Sequence, residues 1–167
     1  MVYCQSLKRI VTIGVYGWTE ERFVADLREH QVEVVVDVRQ RRGVRGSSYR
    51  FANAKALSDL LHQNGIEYIH LKQLAPTQEI RLIQKQKDKD GKIRKRNRTH
   101  LSPEFVEVYT QQIQHSASDA SFLDSIHPRA SVVALLCVER EPEACHRSIL
   151  ADFLSQKLAL EVVHLRP

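Results

Sequence analysis

Cysteine is scarce in this chain, three among 167 residues, an odd number too small for a disulfide framework. Two of them, Cys137 and Cys145, fall in one short segment that reads as a site rather than a scaffold. That usage fits a reducing compartment, and a cytoplasmic protein is expected. Long apolar runs are missing as well: none approaches the roughly 20 residues needed to cross a bilayer, so no membrane partner is expected. The amino-terminal Met1-Val2-Tyr3-Cys4-Gln5 lacks the basic-then-apolar pattern of a secretory signal. No internal repeat or second domain stands out, and the length suits one core, so a single domain over residues 1–167 is expected.

Acidic side chains are absent from residues 39–50, which carry Arg39, Arg41, Arg42, Arg45 and Arg50 and hence a charge of +5. Residues 81–98 hold nine basic side chains against Asp88 and Asp90, a charge of +7. The whole chain carries only +5, so removing these two segments leaves −7 for the remainder. An acidic domain with two basic inserts points to a localised site for phosphate or a polyanion.

The stretch that organises the chain runs from Val132 to Ser148. Val132-Val133-Ala134-Leu135-Leu136-Cys137 reads as a strand buried on both faces. Pro142-Glu143 is expected to open a helix whose apolar stripe is Ile149, Leu150, Phe153, Leu154 and Leu158. Cys137 and Glu139 then sit at the carboxyl end of a central strand, facing Cys145, His146 and Arg147 on the next helix; ligands of open α/β sheets bind at that edge. Further strands are expected at Arg9–Ile13, Val32–Arg39, Ile66–Leu71 and Leu160–Leu165. Helices are expected after Thr19, Asn53 and Ser102-Pro103, with a stop at Asn64-Gly65. The fold class is therefore α/β: a single-domain, open, mostly parallel sheet flanked by helices, Rossmann-like. The basic insert at 81–98, helical then irregular, buries little and is expected to be a mobile arm or a helical lid.

Several chemistries fit these residues. Cys145, at a helix amino terminus beside Arg147, has the setting of an activated thiol, with Cys137 as rival nucleophile and Glu139 as general acid/base. As zinc ligands, Cys137, Cys145 and His146 number three where a structural site normally has four. A fourth, such as His70 or Glu139, would have to come from elsewhere, so neither metal nor cofactor is assigned. In the structural alternative, Cys145 lies four residues before Ile149 and His146 four before Leu150, so both face the sheet and hold the helix against it. Asp37 and Arg39 share one face of their strand, so Asp37 either fixes Arg39 or leaves it for phosphate. Arg39, Arg41, Arg42, Arg45 and Arg147 are the candidate phosphate contacts, with Tyr49 to stack and Lys95, Arg96 and Arg98 to add electrostatic grip.

Thr12-Ile13-Gly14, Asp37-Val38-Arg39 with its arginine loop, Gly65-Ile66-Glu67-Tyr68-Ile69-His70-Leu71, and Leu136-Cys137-Val138-Glu139 followed by Cys145-His146-Arg147 are similar to the Domain of Unknown Function 488 family. The resemblance runs from about Ile10 to Leu158. Gly14-Val15-Tyr16-Gly17 stands where the family more often has Gly-His-Ser. The resemblance implies an α/β fold and a small cytoplasmic prokaryotic protein, and it supplies no reaction. The leading expectation is a phosphate-recognising domain that binds or acts on nucleic acid or a nucleotide, with a Glu/Cys/His active site if it is an enzyme. One alternative is a cysteine-thiol enzyme of sulfurtransferase-like architecture, although Arg147 lies ten residues beyond Cys137 and so forms no tight anion loop around that thiol. Another is a protein-interaction module. The expected partner is nucleic acid or a phosphorylated small molecule; oligomeric state and catalysis are left open.

Overall fold

The computed structural model describes residues 7–117, 122, 124–126 and 130–167, apart from the Arg96 side chain. The expected strands form at Arg9–Gly14 (β1), Val34–Asp37 (β2), Glu67–His70 (β3), Val132–Cys137 (β4) and Glu161–His164 (β5). They pair in the order β3-β2-β4-β1-β5, and all pairs are parallel, so the mostly parallel sheet of the sequence reading is wholly so. The inner strands are near-continuous apolar runs because both of their faces are covered; every residue of β2 and β4 is buried. The edge strands carry Glu67, His70, Glu161 and His164 and stay partly exposed.

Helices α1 (Glu20–Glu29) and α2 (Ala54–Gln63) cover one face, packing Phe23, Leu27, Leu57 and Leu61 on Val11, Ile13, Val35 and Leu136. Helices α3 (Gln78–Asp90), α4 (Pro103–Ser116) and α5 (His146–Leu158) cover the other, with Phe105, Tyr109, Ile113, Leu150 and Leu154 on Ile10, Val36, Leu135 and Cys137. The chain steps one way across the sheet through α1 and α2, then back through α3, α4 and α5 on the opposite face. Direction and face reverse together, so all the crossovers share one hand, as parallel sheets require. The reversal leaves β4 in the middle, between β1 and β2, whose chains depart to the other face. The carboxyl end of β4 is therefore the crevice of this sheet.

Local chemistry explains most boundaries. The Thr19 and Ser102 hydroxyls accept from the amides of Arg22 and Phe105, and Gly65 ends α2 with φ of 70°. Asn53 precedes α2 but does not cap it, because its Oδ1 accepts from the Val44 amide at 2.7 Å and pins the arginine loop instead. The helix expected from Pro142 starts later: Pro142–Ala144 is a single 3₁₀ turn, Cys145 is extended at φ −137° and ψ 141°, and α5 begins at His146. Cys145 is thus the N-cap of α5 rather than an interior residue.

The segment at 81–98, expected as a mobile arm or a helical lid, is helical to Asp90 and tied to the domain at a few points. Ile80 and Gln84 of α3 are buried, and the Gln84 Oε1 accepts from the Ser102 amide while its Nε2 donates to Asp88. Arg98 donates to Asp88 at 2.9 Å and, through Nη2, to the Ala144 carbonyl at 2.9 Å. Charged side chains with matched partners thus do the anchoring that apolar residues could not. His127-Pro128-Arg129, which by sequence leads into β4, lies outside the described residues.

Candidate functional site

Register alone brings three reactive side chains together. Cys137 ends β4, Cys145 caps α5 and His146 opens it, and their donor atoms all lie within 4.8 Å of one another. His146 Nδ1 stands 3.6 Å from the Cys137 sulfur, and its Nε2 is 3.0 Å from the Val38 carbonyl at the end of β2. A carbonyl only accepts, so Nε2 carries the proton and the Nδ1 lone pair stays available, while the Cys137 sulfur lies 3.6 Å from Nδ1 and 3.9 Å from Nε2. The Tyr109 ring meets the imidazole edge-on at 5.4 Å and holds its plane, while the Tyr109 hydroxyl donates to the Leu74 carbonyl at 2.6 Å. Cys145 is 2% exposed, Cys137 6% and His146 9%, so the group is almost closed to water.

The two thiols divide one ionisation between them. The Cys137 thiol is raised well above 9.0 by its contact with Cys145 and by burial. Burial opposes ionisation of Cys145 too, but the Cys137 thiol, the Arg147 charge and His146 together outweigh it and hold Cys145 well below 9.0. The N-cap position acts in the same sense, since it faces the positive end of the α5 dipole.

Arg147 is 0% exposed and has no carboxylate partner among the described residues. Its Nη1 donates to the Glu139 carbonyl at 2.6 Å, Nη2 to the Arg140 carbonyl at 3.0 Å and Nε to Thr12 Oγ1 at 3.4 Å. The phosphate contact expected of it is therefore replaced by a tie that folds the segment after β4 back over α5. Gly14 makes that path possible: a Cβ there would lie 1.7 Å from the Glu139 carbonyl oxygen. Arg39 is likewise turned inward. It grips both oxygens of Asp37, at 2.8 Å and 2.7 Å, and donates to the Ala52 carbonyl at 2.9 Å. The Tyr68 hydroxyl donates to the same Asp37 at 2.6 Å, and His70 Nε2 meets the Arg39 carbonyl at 2.8 Å.

Glu139 projects from the other side of that segment. Its carboxyl is buried, which raises its pKa above 4.5 against the pull of Lys95, and Cys145 acts on it electrostatically. Lys95 lies 3.2 Å and Arg98 3.9 Å from its oxygen, so the basic segment roofs the cysteine side of the rim.

The arginine loop covers the opposite side. Arg41, Arg45 and Arg50 are exposed and have no ion pair among the described residues; Arg42 is half-buried and reaches the Tyr68 hydroxyl at 3.5 Å. Tyr49 packs edge-on to Tyr16 at 5.2 Å, and its hydroxyl accepts from the Gly17 amide at 3.3 Å. The Val15 and Tyr16 amides in turn donate to the Val138 carbonyl. One rim thus runs from the arginine loop, through the turn after β1 and the segment after β4, to Lys95 and Arg98.

A family model described as "Domain of unknown function DUF488" matches residues 19–154. The chain belongs to the DUF488 family. The matched span holds the arginine loop, the basic segment and the whole Cys137–Arg147 stretch, whereas β1 and Gly14 fall outside it. Comparison with curated proteins and with solved structures returns no match. DUF488 carries no assigned reaction, so chemistry here has to be argued from the rim itself. No signal along the chain pairs Tyr109 with His146. The Val38 carbonyl was equally invisible. Gly14 could have been found, since a glycine ending a buried strand marks a close backbone approach.

Proposed function

We propose that this DUF488 protein binds nucleic acid through its phosphates, using the carboxyl rim of the sheet. Arg41, Arg42 and Arg45 make the principal contacts, Tyr49 offers an aromatic edge to a base or sugar, and Lys95, with Arg96 beside it in the chain, extends the positive rim. Cys137, Glu139, Cys145 and His146 stand next to that surface and take no part in the phosphate contacts. Arg39, Arg98 and Arg147 act as supports, because their guanidinium groups are occupied by Asp37, Asp88 and backbone carbonyls.

The observation that carries this reading is the state of the arginine loop. Arg41, Arg45 and Arg50 stand exposed without an acidic partner among the described residues, in a chain that is net acidic outside its two basic segments. Exposed surface arginines that serve stability alone are ordinarily interspersed with acids. Arginine forks also suit phosphate better than lysine does. Fluorescence anisotropy with a labelled single-stranded oligonucleotide, over a series of salt concentrations, tests it. Affinity is expected to fall linearly with salt on logarithmic axes. Replacing Arg41, Arg42 and Arg45 by Ala reduces that slope by about 2, from three lost contacts at about 0.7 each. Equal binding by the wild type and the triple variant overturns the proposal.

A further inference from the structure

The Cys137, Cys145 and His146 group is too enclosed to be explained by contact with a polyanion, and its geometry has a meaning of its own. We propose that these three side chains are the protein ligands of a zinc-class transition-metal ion. The site stands independently of the nucleic-acid reading, because none of the exposed arginines takes part in it.

Distances come first. With bonds of about 2.3 Å to sulfur and about 2.0 Å to nitrogen, tetrahedral zinc holds a sulfur and a nitrogen ligand about 3.5 Å apart. Cys137 Sγ and His146 Nδ1 are 3.6 Å apart, and all three donor atoms fall within 4.8 Å. One ion can touch all three with small side-chain adjustments.

The orientation of the imidazole is the second point. A metal-binding histidine nearly always donates its remote N–H to a carbonyl or carboxylate, which fixes the tautomer and aims the other nitrogen at the metal. His146 does this with the Val38 carbonyl at 3.0 Å, and Tyr109 holds the ring plane.

Charge and burial give the third. Two thiolates neutralise a divalent ion, so the filled site brings no net charge into a region where Cys137 and Cys145 are nearly inaccessible. A buried thiolate is poorly placed to attack a large substrate and well placed to bind a metal. Two sulfurs and one imidazole nitrogen are a donor set that selects zinc or a similar borderline-soft ion over magnesium or calcium. Three protein donors leave one coordination position, as in catalytic rather than closed structural zinc sites.

The test uses the full chain, reduced, stripped with a chelator and titrated with Co²⁺ as a spectroscopic probe. The expected result is visible tetrahedral d–d absorption with near-ultraviolet thiolate-to-cobalt charge transfer, displaced on adding Zn²⁺, and a higher Tm for the zinc-loaded protein. Cys4→Ser keeps the full spectrum, whereas Cys145→Ser loses about half of the charge-transfer intensity and Cys137→Ser with Cys145→Ser loses all of it. Fluorescence of Trp18, the only tryptophan, shows whether each variant is folded. A folded, reduced wild type that gives no charge-transfer band overturns the proposal, and so do bands that survive in the folded double variant.

Discussion

Replacing Arg147 by Met separates a supporting role from a phosphate contact. The guanidinium is fully buried and makes two strong bonds, to the Glu139 and Arg140 carbonyls at 2.6 Å and 3.0 Å, with a weaker one to Thr12 at 3.4 Å. Hydrogen bonds to a charged group contribute about 1.5–3 kcal/mol each, so losing two costs about 3–6 kcal/mol. Met fills much of the space, and no longer burying a cation recovers part of that cost, leaving an expected net loss of about 2–4 kcal/mol. For a domain of this size that shifts the urea midpoint down by about 1–2 M. Urea unfolding followed through the buried Trp18 measures it. A loss below about 1 kcal/mol, or weakened oligonucleotide binding at undiminished stability, refutes the assignment of Arg147 as a tie and returns it to the ligand surface.

Gly14→Ala forces a Cβ to within 1.7 Å of the Glu139 carbonyl oxygen, so the segment after β4 has to move; a stability loss of about 3 kcal/mol or more, or no soluble protein, is expected in expression and thermal-melt assays. His164 is held below 6.5 chiefly by burial, with Arg147 acting in the same sense and Asp152 against, and its Nδ1 faces the Thr12 hydroxyl at 2.8 Å. Its depressed folded value means that its contribution is intact above 6.5 and is lost as pH falls through the folded pKa. His164→Gln should therefore lose less Tm than the wild type between about pH 7.5 and about pH 5; an equal loss in both contradicts the assignment.

Elements whose signals are local were legible along the chain. Thr19 and Ser102 announced helix starts because a hydroxyl there meets a free amide three residues on, and Asn64-Gly65 announced a stop because glycine tolerates the positive φ. The apolar run of β4 named the central strand, since only a strand covered on both faces can afford six buried residues in a row. Signals failed where a polar side chain had a choice of partner. Arg98 and Arg147 looked like free cations in a list of residues, yet Asp88 and the carbonyls of Ala144, Glu139 and Arg140 claim them, and of the two roles left open for Arg39 the pairing with Asp37 is the one the structure has. The partners of Arg98 turn the supposed arm or lid at 81–98 into a roof, and those of Arg147 turn the supposed phosphate fork into a tie.

Charge segregation, the strand and helix alphabet, and the presence of two cysteines and a histidine in one short stretch are properties of the sequence by itself, because they depend on composition and neighbours. Which arginines remain free, which nitrogen of His146 carries the proton, and whether Cys145 begins a helix or sits inside one were decided by the tertiary structure. Each of those outcomes turns on a backbone carbonyl or carboxylate brought in from a distant part of the chain, Val38 onto His146 across 108 residues being the clearest case. Carbonyls are identical at every position, so only their placement in space distinguishes one from another.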